Sequence, residues 1–229
     1  EAMGISKESN IVKATGVSRT DVFYDIEYKN KAFEKLYSLF PEAKGKKIIL
    51  YAPTFRGRVA KAEMPDVFDF KEFAEKFSGE YVIVANYHPL VKQPPEVPED
   101  FLKFARDLTG KIGINELIVI SDICISDYSS LVFEYSLMEK PMIFYAFDLD
   151  EYLDWRGFYY PYDEMTPGPI CKTNYEMIYY IQNIDELFDK QKVVGFKHKF
   201  MRSCDGHSTD RIFELVFHKE TEDMLRKTN

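Results

Sequence analysis

A doubly wound α/β domain on a parallel sheet is the fold this sequence predicts. Three observations point there. The candidate strands are continuous apolar runs, the mark of strands covered on both faces, rather than alternating ones. Helical patterns separate them, the order expected of parallel strands joined by crossovers. Polar clusters, "PTFRG", "NYHPL" and "SDYSS", follow three successive strands, where such sheets place their ligands.

Residues 11–25 read as a short strand and an irregular segment. "KAFEKLYSLF" (31–40) spaces Phe33, Leu36, Tyr37 and Phe40 as one helical face. "KKIILYAPTF" (46–55) is a buried strand ended by Pro53. "DFKEFAEKF" (69–77) puts Phe70, Phe73, Ala74 and Phe77 on one side of a helix, and "EYVIVANYHPL" (80–90) is a strand stopped at Pro89. The proline-rich 93–100 is loop. "INELIVI" (114–120) is a short helix entering strand "ICIS" (123–126), "SSLVFEYSLMEK" (129–140) a helix, and "PMIFYAF" a strand opened by Pro141. A turn-rich loop fills 148–169, and two helical stretches, about 174–191 and 207–226, close the chain.

The totals exclude several classes. The 229 residues exceed one average domain but fall short of two. A net charge of -8 with no long basic run argues against nucleic acid and against tight electrostatic docking on anionic lipid. Cys124, Cys171 and Cys204 lack metal-type spacing, so a reduced, cytoplasmic compartment is expected. No apolar run approaches 18 residues. The start, "EAMGISKESN", reads as the continuation of a longer chain. HExxH, DxD, GxGxxG and GxxxxGK[ST] are all missing, so neither metal nor cofactor is expected.

The candidate residues follow from the strand ends. Ser129 and Ser130 fall near the first turn of a helix, where free N–H groups favour an anion. Capping by Asp127 or Ser129 is the commoner use of such residues, and a cap and a phosphate site coexist. Glu134 lies four residues after Ser130 and suits ribose hydroxyls, against the plainer reading of a solvated helix carboxylate. His88 ends a strand before a proline and suits a phosphate oxygen or a leaving group. Arg56 offers paired hydrogen bonds to phosphate, with Gly57 allowing close approach and Arg58 as the competing anchor. His198 and His218 read as solvated, and His207 as part of a helix start whose N-terminus is a further candidate for the cleft.

Taken in order, "YAPTFRG", "HPL", "SDYSSLVFEYS", "KPMIFY" and "DGHSTDR" resemble the CDP-glycerol glycerophosphotransferase family of teichoic acid polymerases and primases. "GVSRTD" (16–21) is similar to the family's segment between its two halves, with Ser18 where a proline is usual. The resemblance spans about residues 16–212 and implies the donor-binding, Rossmann-like half of a GT-B type transferase. It divides the chain into a linker and remnant of a preceding domain (1–30), a nucleotide-donor domain (31–206) and a C-terminal helix (207–229). It implies a metal-independent transfer from CDP-glycerol, or a related CDP-polyol, to a polymer or lipid-linked acceptor. His88 would meet the donor pyrophosphate, Ser129 and Ser130 the phosphates, and Arg56, Asp127 and Glu134 would serve substrate binding. The family's acceptor-activating histidine lies in its other half and has no counterpart here, so the chain is expected to fold, bind a cytidine nucleotide weakly and make no polymer by itself. Membrane attachment at the inner face, which the family implies, would then come from other residues or partners. A nucleotide-sugar glycosyltransferase of capsule synthesis, or a non-catalytic nucleotide- or partner-binding module, are the competing readings.

Overall fold

The computed structural model describes residues 11–58, 62–155, 157–158 and 160–227. The expectation that residues 1–10 continue a preceding segment falls outside the described residues. Six strands form one sheet: β1 (Lys47–Tyr51), β2 (Tyr81–Ala85), β3 (Ala105–Asp107), β4 (Ile123–Ser126), β5 (Met142–Tyr145) and β6 (Ile170–Cys171). Their order is β3-β2-β1-β4-β5-β6, and every pairing is parallel. Nine α-helices are seen among the described residues: α1 (Ile26–Leu39), α2 (Phe70–Phe77), α3 (Ile114–Ile120), α4 (Leu131–Tyr135), α5 (Leu149–Trp155), α6 (Asn174–Gln182), α7 (Ile184–Leu187), α8 (Lys190–Phe200) and α9 (Ser208–Lys227).

The period-two geometry of strands sends neighbours to opposite faces, and both faces are packed. Ile48, Leu50, Val82, Val84 and Cys124 join a core with Leu36, Leu117, Val132 and Phe196 of α1, α3, α4 and α8, and with Phe40 just after α1. Ile49, Tyr51, Ile83 and Ile125 join another with Phe70, Phe73 and Phe77 of α2 and Met177 of α6. Burying each of these phenylalanines contributes on the order of 2–3 kcal/mol. The Asp69 carboxylate starts α2 by accepting from the Glu72 N–H at 2.9 Å.

Several sequence expectations change. The short strand expected in 11–25 is absent: 11–17 is irregular and Ser18–Tyr24 is a 3-10 helix. The single helix expected at 174–191 breaks at Asn183, and α8 carries on to Phe200. The loop expected at 148–169 contains α5 and a 3-10 turn, Tyr162–Met165. The helix expected at 129–140 is α4 followed by a 3-10 turn, Ser136–Met138.

The segment before α1 is bound to the start of α9. The Asp21 carboxylate accepts from the Ser208 N–H at 3.0 Å and from the Thr209 N–H and hydroxyl, both at 2.7 Å. Tyr24 donates its hydroxyl to the Cys204 carbonyl at 2.7 Å, and Arg211 donates Nε to the Thr15 carbonyl at 3.1 Å. Gly16 makes the approach possible, because at φ +87° a Cβ would lie 2.2 Å from the Ser203 carbonyl oxygen.

Candidate active site

Strand order reverses between β1 and β4: one run of strands continues to β2 and β3, the other to β5 and β6. The crevice beyond the carboxyl ends of β1 and β4 is where an open α/β sheet takes its ligand. The segments leaving β1, β2, β4 and β5 carry Arg56, His88, Asp127 to Ser130, and Asp148. β2 and β4 both flank β1, so the chain segments that leave them start about 10 Å apart.

Arg56 ties three of these strand ends together. Its Nε and Nη2 donate to Asp148 Oδ2 and Oδ1 at 2.6 and 2.9 Å, the paired geometry that guanidinium gives a carboxylate. Nη1 donates to Asp127 Oδ2 at 3.0 Å and to the Thr54 carbonyl. The guanidinium carbon sits 4.9 Å from the Tyr128 ring centre, 5.4 Å from Phe147 and 5.6 Å from Tyr152. Tyr128 stacks on Tyr152 at 3.8 Å and donates its hydroxyl to Asp148 Oδ1 at 2.9 Å. The structure thus gives Arg56 two carboxylates, where the sequence suggested a phosphate.

Asp127 is 3% exposed. Its Oδ1 accepts from the N–H groups of Thr54 (2.8 Å) and Tyr128 (2.7 Å), so it joins the β1 and β4 segments and does not cap α4. Burial pushes its pKa up, opposed by the Arg56 charge and these donors. Burial acts in the same sense on Asp148, but hydrogen bonds from Arg56 and Tyr128 override it and hold that carboxyl below its usual range.

The three polar residues of "SDYSS" that the sequence singled out therefore divide their roles. Ser129 Oγ accepts from the Leu131 N–H at 3.2 Å and so caps the turn. The Ser130 hydroxyl makes no cap bond, and the residue is exposed. A cavity of about 110 Å³ opens beside both serines, walled by Phe133, Phe158, Tyr162 and Met165. Glu134 lies on the Ser130 side of α4 and is 12% exposed; Arg19 donates Nε to its Oε1 at 2.8 Å, and Nη2 to the same oxygen. His88 is exposed at the end of the segment after β2, its ring 4.9 Å from Phe55. Its Nδ1 accepts from the Leu90 N–H at 3.2 Å, which puts the proton of a neutral imidazole on Nε2, pointing a donor away from the turn.

The remaining candidates sort as structural. The N-terminus of α9 is filled by Asp21, so it offers no anion site, and His207 pairs with Asp210 on an exposed turn. The three cysteines are free and buried, and burial raises the Cys124 thiol pKa. Among the described residues no cluster of His, Cys, Asp or Glu is arranged to hold a metal, and no helix is long and apolar enough to cross a membrane. Sequence reasoning missed Asp148, Tyr128 and Arg19. Asp148 was findable, since "YAFD" places it just past β5 by the same strand-end rule.

The sequence profile described as CDP-glycerol:poly(glycerophosphate) glycerophosphotransferase matches residues 2–218. The chain belongs to this family. Among curated members, it is 39% identical over 225 residues to a teichoic acid poly(ribitol-phosphate) polymerase of Bacillus spizizenii, covering 97% of this chain and 36% of that protein. A teichoic acid ribitol-phosphate primase of the same organism is 34% identical, over 94% of this chain and 55% of the primase. The wall teichoic acid polymerase TagF, as its H444N variant, superposes with a TM-score of 0.77 at 28% identity, over 96% of this chain and 55% of TagF. The chain thus spans about a third to a half of the length of these relatives. Its fold class is the expected one, the Rossmann-like half of a GT-B arrangement.

Proposed function

We propose that this chain is the donor-binding half of a transferase that moves a polyol phosphate from a CDP-activated donor to a teichoic-acid-like acceptor. The observation that carries the reading is that β2 and β4, which both flank β1, send His88 and the Ser129–Ser130 turn out from the same, carboxyl edge of the sheet, with His88 and Ser130 both exposed there and Glu134 one turn further along α4. Family membership supplies the donor class, and a TagF H444N structure soaked with CDPG concerns the same fold.

In this reading Ser130, with backbone N–H groups at the start of α4, receives the pyrophosphate, and Ser129 shapes the turn. Glu134 accepts from ribose hydroxyls. The acceptor hydroxyl gives its proton to a base on the acceptor half and attacks the phosphorus that bears the polyol, the bond of that phosphorus to the bridging oxygen breaks, and CMP departs with the electron pair. His88 donates from Nε2 to the phosphate oxygens as charge builds on the departing nucleotide. Arg56 and Asp127 serve the site by fixing the β1, β4 and β5 ends rather than by touching the donor. The acceptor, a polymer or lipid-linked primer, and attachment at the inner membrane face belong to the intact protein.

Calorimetric titration with CDP-glycerol, CDP-ribitol and a UDP-sugar tests the reading. Saturable binding of one or both CDP-polyols, weakened by Ser130→Ala, is expected. Preferential binding of the UDP-sugar would replace it with the nucleotide-sugar glycosyltransferase, and binding of none of the three would reject the donor role.

A further inference from the structure

Arg19 stands outside every role assigned so far, and its contact with Glu134 has an unusual form. Nε and Nη2 both donate to one carboxylate oxygen, Oε1, while among the described residues Oε2 accepts nothing. The carboxylate is confined, with the Glu134 side chain 12% exposed, whereas Arg19 is 63% exposed. An ion pair with one partner so exposed ordinarily adds little to stability. Nor does the 3-10 helix that carries Arg19 depend on it. That helix is held by Asp21 on Ser208 and Thr209, by the Tyr24 bond to Cys204 and by the fully buried Thr20. These anchors fix the point from which Arg19 reaches α4, 115 residues away in sequence.

We propose that Arg19 is a positioning residue for the donor: it holds Glu134 by one oxygen and leaves the other to accept from the nucleotide ribose. Donor affinity is then coupled to the segment preceding α1, which is also bound to α9. Glu134 without Arg19 samples other rotamers, and its hydrogen bonds to the ribose carry an ordering cost that the wild type has already met. The proposal rests on the donor reading above, and its test separates the two. Arg56 is no substitute for Arg19, because it is engaged by Asp127 and Asp148.

The experiment measures dissociation constants of CDP and of 2′,3′-dideoxy-CDP for the wild type, Arg19→Ala and Glu134→Gln, alongside thermal unfolding. Arg19→Ala should bind CDP about tenfold more weakly, the loss of roughly one hydrogen bond to a charged group. It should bind the dideoxy analogue as the wild type does, with an unfolding midpoint close to the wild type's. Glu134→Gln should show the same selectivity. Equal affinity of Arg19→Ala and wild type for CDP overturns the proposal. So does an equal loss for both nucleotides, which would make Arg19 a phosphate contact or a purely structural residue. Failure of the wild type to bind CDP overturns the donor reading itself, and the proposal with it.

Discussion

Replacing Arg56 by alanine removes the one cation shared by two carboxylates. Asp127 is 3% exposed, and the substitution leaves its charge buried with only the Thr54 and Tyr128 N–H groups. Removing one partner of a buried pair typically costs 3–5 kcal/mol. The two surviving N–H bonds argue for the lower end, and Asp148, at 14% side-chain exposure, regains some water. We therefore expect a loss of about 3 kcal/mol, or roughly 6–12 °C in midpoint for a chain of this size. Urea unfolding followed by circular dichroism measures it. The pH dependence carries the signature. In the variant, Asp127 loses the cation that opposes its upward shift, so its folded pKa lies further above the unfolded one. Stability contributed by a raised carboxyl is present at low pH and lost as pH rises through the folded pKa, so the gap to wild type should narrow on acidification. Adding Asp127→Asn to Arg56→Ala should recover at least ~1 kcal/mol at pH 7, since the buried charge disappears. A loss under ~1 kcal/mol with no pH dependence would refute the brace and return Arg56 to the surface.

Other outcomes follow from the same structure. Gly16→Ala should cost about 2–4 kcal/mol in denaturant unfolding, because the Cβ would meet the Ser203 carbonyl oxygen at 2.2 Å in a left-handed conformation. Asp21→Ala should cost ~1 kcal/mol as a lost cap on α9. Burial pushes the Asp21 pKa up, but donors from Thr209 and Ser208 outweigh it and bring the carboxyl below its ordinary 3.8. Its contribution is thus full above that value and lost as pH falls through the folded pKa, so the gap between wild type and Asp21→Ala should close on acidification. In the intact protein His88→Ala should lower turnover on the order of 10²-fold with unfolding unchanged, and near-normal turnover would remove His88 from the chemistry.

What the sequence made legible, and what it hid, has a physical basis. α2 and β1 were readable because their burial pattern is local: Phe70, Phe73 and Phe77 at helical spacing, and four consecutive buried residues from Ile48. β3 and β6, three and two residues long, owe their strand form to pairing with β2 and β5, which no local pattern announces. α8 buries only Val193 and Phe196 and carries Gly195 on its exposed side, so its period is faint. The strand-end rule put Arg56 next to Asp127 of "SDYSS", 3.0 Å apart, and His88 beside Phe55 of the segment after β1. It could not say that Arg56 would be met by Asp148, 92 residues on, because a strand-end arginine looks alike whether it faces phosphate or carboxylate. Glu134 was selected by its spacing from Ser130, but its partner Arg19 comes from a segment that sequence reading took as a connector.

If this chain binds the donor as proposed, the pyrophosphate lies at the switch point between β1 and β4. A crystal structure with CDP bound tests it most directly. Phosphate oxygens should lie within about 2.7–3.2 Å of the Ser130 hydroxyl and of His88 Nε2, with the ribose on Glu134 Oε2. Nucleotide seated instead in the cavity of about 530 Å³ between Tyr175, Tyr179 and the β6 edge, with the switch point empty, would contradict it.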